Sequence, residues 1–471
     1  MKPFMKKLFG FSIGPVGGAF ISFITIPVTT HFVSPAEYGK ASMFILFQTL
    51  IGTFLYLGVD QAYTREYHEA DNKADLFRNA LLIPLGLAAA VCAVIVLDSH
   101  FVSRVLFGEG RYVLASALFG IMIVFMVLER FILLSIRMKE RAFEYSFFNL
   151  LIKAVLLVAT LVFVLFIRRD FLAVLYSTVV GQILGDLYLI IRYRRYFLVK
   201  HFRPDKRLAA RLLKFGLPLA VAASVTSLLN SFGRLGLRAW SSYEEIGIYA
   251  ATLKIAALLS IVQTSFTNFW VPTAYRWFNE KRRMVYFKLV SEGVLLVMSW
   301  LFFTILTCKR LVVLLLSPGY ADAAYLIGFL CLQPVLYTVS ETTTLGIVFS
   351  KKSYLNIWVS FISIATCLLL SVLLIPHFGA VGAAVSTGVS YVFFFWGRSF
   401  FSEKNWEGFP LRKHFWVTAV MFLAALANAF PLKGIELLNI ALFLAVSGIQ
   451  MPAIKNIWNM FRAKQLNLEK S

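Results

Sequence analysis

Residues 192–214 read RYRRYFLVKHFRPDKRLAARLLK and carry nine cations: Arg192, Arg194, Arg195, Lys200, Arg203, Lys206, Arg207, Arg211 and Lys214. They separate two apolar runs, Leu172 to Ile191 and Phe215 to Phe232. About 20 apolar residues let a helix cross the hydrocarbon of a bilayer, and Lys and Arg collect in the loops that stay on the cytoplasmic side. The stretch therefore marks an inner loop, from which the topology can be counted in both directions.

Counting outward gives fourteen apolar segments. Before the loop lie Leu8 to Thr29, Ala41 to Val59, Asn79 to Leu97, Val113 to Ile136, Phe147 to Ile167 and Leu172 to Ile191. After it come Phe215 to Phe232, Ile246 to Trp270, Leu289 to Cys308, Ala323 to Phe349, Leu355 to Ile375, Ala380 to Gly397, Phe415 to Phe430 and Leu437 to Ile454. Alternate gaps and the two ends hold 33 of the 46 Lys and Arg residues, the other gaps hold 10, and Arg130, Lys153 and Lys254 fall inside segments. The pattern predicts an all-helical polytopic membrane protein with both termini cytoplasmic.

Composition agrees. With 59% hydrophobic and 15% charged residues in 471, and a mean hydropathy of +0.76, a water-soluble fold could not hide the apolar surface. The net charge of +22 is explained by inner loops rather than by nucleic acid, because no soluble basic module is visible. The first segment runs past 20 residues after Lys6 and Lys7 without a small-residue cleavage site, and so reads as a retained helix. Cys92, Cys308, Cys331 and Cys367 lie in or beside apolar segments without metal spacing and read as packing residues. No metal or other cofactor is expected.

The chain repeats itself. Pro35-Ala36-Glu37-Tyr38-Gly39-Lys40-Ala41 is echoed by Tyr243-Glu244-Glu245-Ile246-Gly247-Ile248-Tyr249-Ala250, and Asp170-Phe171-Leu172-Ala173-Val174 by His377-Phe378-Gly379-Ala380-Val381. Six segments separate each pair, so the halves share one orientation. This predicts an amino-terminal lobe over 1–200, a second six-helix lobe over 201–404, and a two-helix appendage with a cytoplasmic tail over 405–471. Within the basic loop, Leu208, Leu212 and Phe215 fall at i, i+4 and i+7 after Pro204, which predicts a short helix on the inner surface beside anionic lipid.

Two such bundles suit alternating access, with a substrate site between repeats, and intramembrane polar residues are then the first candidates for function. Ser224, Ser227, Ser231, Arg234 and Arg238 share a face of the seventh segment. Ser146, Asn149, Lys153 and Thr160 share one on the fifth, Ser260, Gln263, Thr264 and Thr267 on the eighth with Lys254 nearby, and Tyr337, Ser340, Glu341 and Thr344 on the tenth. Gly14, Gly18, Ser22, Thr25 and Thr29 mark the first, which Pro15 and Pro27 interrupt. Each pattern has a plainer reading: Gly14 and Gly18 suit close helix packing, Arg130 suits an ion pair with the adjacent Glu129, and Arg234 and Arg238 suit snorkelling to the interface.

Several ordered motifs carry a family resemblance: Gly14-Pro15, Pro35-Ala36-Glu37-Tyr38-Gly39, Gly58-Val59-Asp60-Gln61-Ala62-Tyr63-Thr64-Arg65, Arg141-Ala142-Phe143-Glu144-Tyr145-Ser146, Lys214-Phe215-Gly216-Leu217-Pro218 and Ile246-Gly247-Ile248-Tyr249-Ala250-Ala251. Together they resemble the polysaccharide-biosynthesis (Wzx-type) flippases of the multidrug/oligosaccharidyl-lipid/polysaccharide exporter superfamily. The resemblance implies twelve core helices, often with two more, and movement of an undecaprenyl-diphosphate-linked glycan from the inner to the outer leaflet of a bacterial cytoplasmic membrane. Such proteins often carry an Asp-Arg pair near the end of the seventh helix. Here Gly233 precedes Arg234, so a salt bridge there does not carry over.

The resulting expectation is a cationic cavity of Lys153, Arg234 and Lys254, joined by Arg130 and Arg238, that offsets a diphosphate. Asn149, Ser227, Gln263 and Ser340 would line it for sugar hydroxyls. Asp60, Asp186 and Glu341 are candidates for gating or ion coupling, with Asp60 and Arg65 alternatively capping the inner end of the second segment. Gly14, Pro15, Pro27, Gly216 and Pro218 are candidate hinges. Expected partners are the lipid-linked glycan, anionic lipids, and a polysaccharide polymerase or glycosyltransferase, but not nucleic acid, and the protein is expected to be a monomer. Rival readings are a Na⁺- or H⁺-coupled multidrug antiporter, a membrane-embedded glycan polymerase or ligase, and an assembly scaffold. The absence of a P-loop or nucleophile motif argues against an enzyme.

Overall fold

Two stretches, Ser34-Pro35-Ala36-Glu37 and Ser242-Tyr243-Glu244-Glu245, start helices by one device. In each, the Ser hydroxyl accepts the amide of the Glu three residues on, at 3.5 Å for Glu37 and 3.3 Å for Glu245. The Glu side chain then reaches to the start of a distant helix rather than back to its own. Glu37 Oε2 accepts from the Phe171 amide at 2.9 Å, and Glu245 Oε2 accepts from the Ala380 amide. The two sequence echoes thus make the same contact in both halves. A carboxylate at a helix N-terminus is worth up to about 2 kcal/mol when partly buried. Glu245→Ala and Glu37→Ala should each lower the unfolding temperature in detergent by about 3–6 °C. Replacement by Gln, which keeps an acceptor oxygen, should cost less, and equal losses for Gln and Ala would contradict the role.

The computed structural model describes residues 2–197, 204–350, 352, 354–406 and 408–455. The chain forms two compact units, 1–232 and 233–471. The first contains α1 (Lys2–Phe32), α2 (Pro35–Leu55), α3 (Val59–Glu66), α4 (Lys73–Leu97), α5 (Ser99–Phe107), α6 (Val113–Met138), α7 (Ala142–Val162) with a π-helical turn to Ile167, α8 (Phe171–Arg192) and most of α9 (Lys206–Trp240). The second continues with α10 (Tyr243–Asn279), α11 (Met284–Thr307), α12 (Lys309–Leu316), α13 (Ala323–Thr343), α14 (Leu345–Phe349), α15 (Tyr354–Asn405), α16 (Arg412–Asn428) and α17 (Ile435–Ile449). No strand occurs among the described residues. The short α5 and α12 follow the third long helix of each repeat, a further match between halves.

All fourteen apolar segments lie on helices. Among the described residues eight helices are long and apolar enough to cross a membrane by length and composition, nine if the bent pair of α2 and α3 counts as one span. One of the eight, α15, is two arms. Gly379 interrupts it at φ +51°, after Pro376, and Ser363 Oγ donates to the Ser390 carbonyl at 2.7 Å while Arg398 reaches Asn356 at 3.2 Å. Those contacts run antiparallel about the break, so each arm is a separate predicted segment.

One expectation needs correction. The residues after Pro204 do not form a separate surface helix but begin α9, which runs unbroken to Trp240. Leu212 is buried, Arg211 pairs with Glu66 at 3.1 Å, and the Asp205 amide donates to Asn79 Oδ1 at 2.8 Å. These contacts dock the start of α9 on the first unit, which extends to residue 232. Lys200 and Arg203 of that loop lie outside the described residues.

Small residues set the close contacts. A Cβ on Gly14 would sit 2.7 Å from Ser146 Cα, and one on Gly17 2.6 Å from Leu150, so α1 lies directly on α7 through its glycine face. Ser22, Thr25 and Thr29 donate back to carbonyls of α1 itself at 2.8–2.9 Å. The packing reading of the first segment therefore accounts for that stripe.

In the second unit the end of α10, the starts of α11 and α16 and the end of α15 meet in an aromatic cluster around Trp270, Phe287, Phe349, Trp406 and Phe409. Four helix ends gathered around Trp270 and Trp406 fit the interfacial position of Trp. The last two helices are bound by buried polar contacts: Asn428 and Asn439 exchange amide hydrogen bonds at 2.7 and 3.1 Å, Gln450 donates to Ser299 at 2.9 Å, and Ser291 meets His414 at 2.8 Å.

Candidate functional site

In the first unit the polar residues form two linked groups. The chain bends by 50° between α2 and α3, through Leu57 at φ +48° and Gly58 at φ +68°. The bend brings Asp60, in the first turn of α3, against α6. Asp60 Oδ2 accepts from Arg130 Nη2 at 2.8 Å and Nε at 3.3 Å, with the Asp side chain 7% exposed and the Arg 46%. The Tyr56 ring lies 5.5 Å from the guanidinium carbon. The expected partner Glu129 is not used, because adjacent residues on a helix point about 100° apart. Nor does Asp60 merely cap a helix.

Glu129 joins the second group. Gln182 Nε2 donates to Glu129 Oε2 at 2.7 Å and lies 3.0 Å from both carboxylate oxygens of Asp186, which is fully buried. Lys153, exposed on α7, is within electrostatic reach of Glu129. Its stem passes Gly18, where a Cβ would lie 3.4 Å from Lys153 Cγ. Asn149, one turn earlier, donates to the Tyr145 carbonyl at 2.8 Å. The structure thus draws Asp60, Arg130, Lys153 and Asp186 into one neighbourhood and adds Glu129, Gln182 and Tyr56.

Along α9 and α10 the picture is looser. Ser227 and Gln263 are half-buried, as is Lys254. Arg234 lies within electrostatic reach of Tyr249, whose hydroxyl is 3.2 Å from Thr387 Oγ1. Arg238 stacks on Tyr243, 4.7 Å from its centroid. A Cβ on Gly233 would meet the Tyr249 hydroxyl at 2.6 Å, so the glycine where an acid might stand has a steric reason.

In the second unit the candidates Ser340 and Glu341 meet Arg398, which the sequence did not single out. Glu341 Oε1 accepts from Arg398 Nη1 at 2.8 Å, Ser340 Oγ accepts from the same nitrogen at 2.9 Å, and Asn356 Oδ1 accepts from Nε at 3.2 Å. Tyr337 and Phe394 stack on each other 5.7 Å apart beside the guanidinium. The segment bounds place Arg398 in the inner gap just after Gly397, where a cation would only set topology. It is 12% exposed and ties α13 to both arms of α15.

The candidate hinges divide. Gly14 and Gly216 are close-packing positions: a Cβ on Gly216 would lie 2.7 Å from the Leu57 carbonyl oxygen. Pro15 and Pro27 lie within α1, and Pro218 within α9. Each removes a backbone donor where its helix can bend.

A sequence profile described as polysaccharide biosynthesis protein matches residues 4–278, more than half the chain. The chain belongs to this family. No curated protein sequence matches it significantly. Among solved structures, this polysaccharide biosynthesis family member is similar to "Lipid II flippase MurJ, inward closed conformation", with a TM-score of 0.63 and 14% identity over 98% of this chain and 100% of that one. It is also similar to an inward-facing multidrug resistance MATE family transporter of the MOP superfamily, with a TM-score of 0.60 and 13% identity over 82% of this chain and 94% of that one. At such identities the likeness establishes the fold alone, a multi-pass helical fold shared with those two membrane proteins. For a family member with this fold, Arg398 was the most consequential omission. The signal was present: the apolar run continues through Phe400 and Phe401 past the point where the twelfth segment was ended.

Proposed function

We propose that this protein is a flippase of the cytoplasmic membrane that moves an undecaprenyl-diphosphate-linked oligosaccharide, a polysaccharide precursor, from the inner to the outer leaflet by alternating access. Membership of the polysaccharide biosynthesis family supports the glycan, and the MOP fold supports transport rather than synthesis. The observation that carries the reading is the presence of cations on apolar helices, Lys153 above all. An ammonium on the hydrocarbon-spanning part of a helix is costly unless it meets water, a counter-ion or an anionic substrate.

In this reading Lys153, Arg234 and Lys254 attract the diphosphate, with Arg130 and Arg238 assisting, and Asn149, Ser227 and Gln263 take sugar hydroxyls, while Ser340 is buried and engaged by Arg398. Asp60 and Glu341 are each engaged by an arginine, which leaves Asp186 as the carboxylate for ion coupling. Flexure is assigned to Pro15, Pro27 and Pro218. The two termini face the cytoplasm, anionic lipid holds the basic loop, and the protein works as a monomer beside a polymerase or glycosyltransferase.

Lys153→Ala and Lys254→Ala, with membrane insertion verified, should each reduce glycan export in cells by about tenfold, the loss of one charged contact in a low-dielectric site. Normal export from both variants would reject the assignment. A second reading, a cation-coupled multidrug antiporter, is favoured by the half-buried Glu129 beside the buried Asp186. Gradient-driven ethidium efflux from vesicles, abolished in Asp186→Asn, would decide for it.

A further inference from the structure

We infer that Asp60 is a positioning residue for Arg130, and that the edge of Arg130 left open by Asp60 binds the diphosphate of the lipid substrate. This deepens the flippase reading and rests on it for the identity of the ligand. A guanidinium carries five N–H donors in one plane. Asp60 Oδ2 takes one from Nε and one from Nη2. Among the described residues no hydrogen bond is made by Nη1. The open edge therefore presents the parallel Nη1 and Nη2 donors that match two oxygens of a phosphate.

Three features show that the arrangement is built. Asp60 is buried while Arg130 is nearly half exposed, so the acid is sacrificed to hold the cation. The bend that delivers Asp60 uses a non-glycine residue, Leu57, in the left-handed region, a strained conformation that persists where surrounding structure enforces it. Tyr56 lies on the guanidinium face, leaving the edge clear. Arg130 stands about 12 Å from the end of α6 at Met138, from the helical rise per residue. With the termini cytoplasmic as proposed, that is the depth at which a headgroup leaves the inner leaflet. The Asp60–Arg130 pair is neutral, so it contributes direction, while the attraction comes from the other cations.

The test uses the full-length protein in detergent with farnesyl diphosphate as probe and farnesol as a comparison that reads only the hydrocarbon. Arg130→Ala should weaken diphosphate binding about tenfold or more, and Arg130→Lys nearly as much, since one ammonium cannot form the fork. Asp60→Ala should weaken it several-fold, and Asp60→Asn, whose amide oxygen can still accept from Arg130, should restore most of it. Farnesol binding should be unchanged throughout, which separates loss of the site from loss of fold. Diphosphate binding that is absent in the natural protein, or unaffected by Arg130→Ala, would overturn the inference. So would an Asp60→Asn variant as impaired as Asp60→Ala. Arg130-dependent binding without translocation of any glycolipid would sink the flippase reading alone, and translocation with Arg130-independent binding would sink this one alone.

Discussion

Arg398→Ala is expected to cost about 3–5 kcal/mol of stability, because it strands the Glu341 carboxylate, 8% exposed, among α13 and α15. Glu341→Ala should cost a similar amount by stranding the guanidinium. The double replacement Glu341→Leu with Arg398→Met should recover much of the loss, since two apolar side chains leave no uncompensated charge. A double-mutant cycle read by thermal unfolding in detergent checks this directly: a coupling of about 2–3 kcal/mol is expected. A double variant that loses the sum of the singles would show that the residues act independently. The pair matters beyond its strength, because Arg398 also reaches Asn356, so its loss should loosen the two arms of α15 together.

Gly58→Ala should prevent recovery of folded protein, or lower its stability by about 3 kcal/mol or more. An added Cβ would sit 2.1 Å from the Gly216 carbonyl oxygen, a backbone atom that cannot swing aside, and φ at Gly58 is +68°. Gly216→Ala meets the same contact from the other side, at 2.7 Å from the Leu57 carbonyl oxygen and the Gly58 carbonyl carbon. Gly86→Ala supplies the comparison: nothing lies within 4 Å of its Cβ, and Ala is the better helix former. It should be neutral or slightly stabilising. Equal behaviour of Gly58→Ala and Gly86→Ala in yield and unfolding temperature would contradict the close approach. The result also bears on mechanism, since Gly216 would then be a fixed point of α9 and Pro218, half a turn further, its point of flexure.

The helices were legible because the bilayer demands long apolar runs, and the repeat was legible because Glu37 and Glu245 sit in matching short motifs. What makes those motifs work was not visible. Nothing in Ser34-Pro35-Ala36-Glu37 says that its carboxylate reaches Phe171, since that partner comes from tertiary packing. The same limit applied to charge. Arg130 beside Glu129 invited a local pair, but helix geometry turned the two apart, toward Asp60 and Gln182. Arg398 was hidden by its position at a segment end, where a cation already had an explanation. The start of α9 was misread because Leu208, Leu212 and Phe215 make an amphipathic face whether the helix lies on lipid or on protein; the first unit supplied the apolar surface.

The most direct test of the central claim is leaflet-resolved translocation in vesicles. The purified protein is reconstituted with a fluorescent undecaprenyl-diphosphate-linked oligosaccharide, and an impermeant quencher reports which leaflet holds it. The account predicts protein-dependent crossing of the diphosphate-linked glycan, slowed in Lys153→Ala. Crossing no faster than in protein-free vesicles, across a panel of such glycolipids, would contradict it.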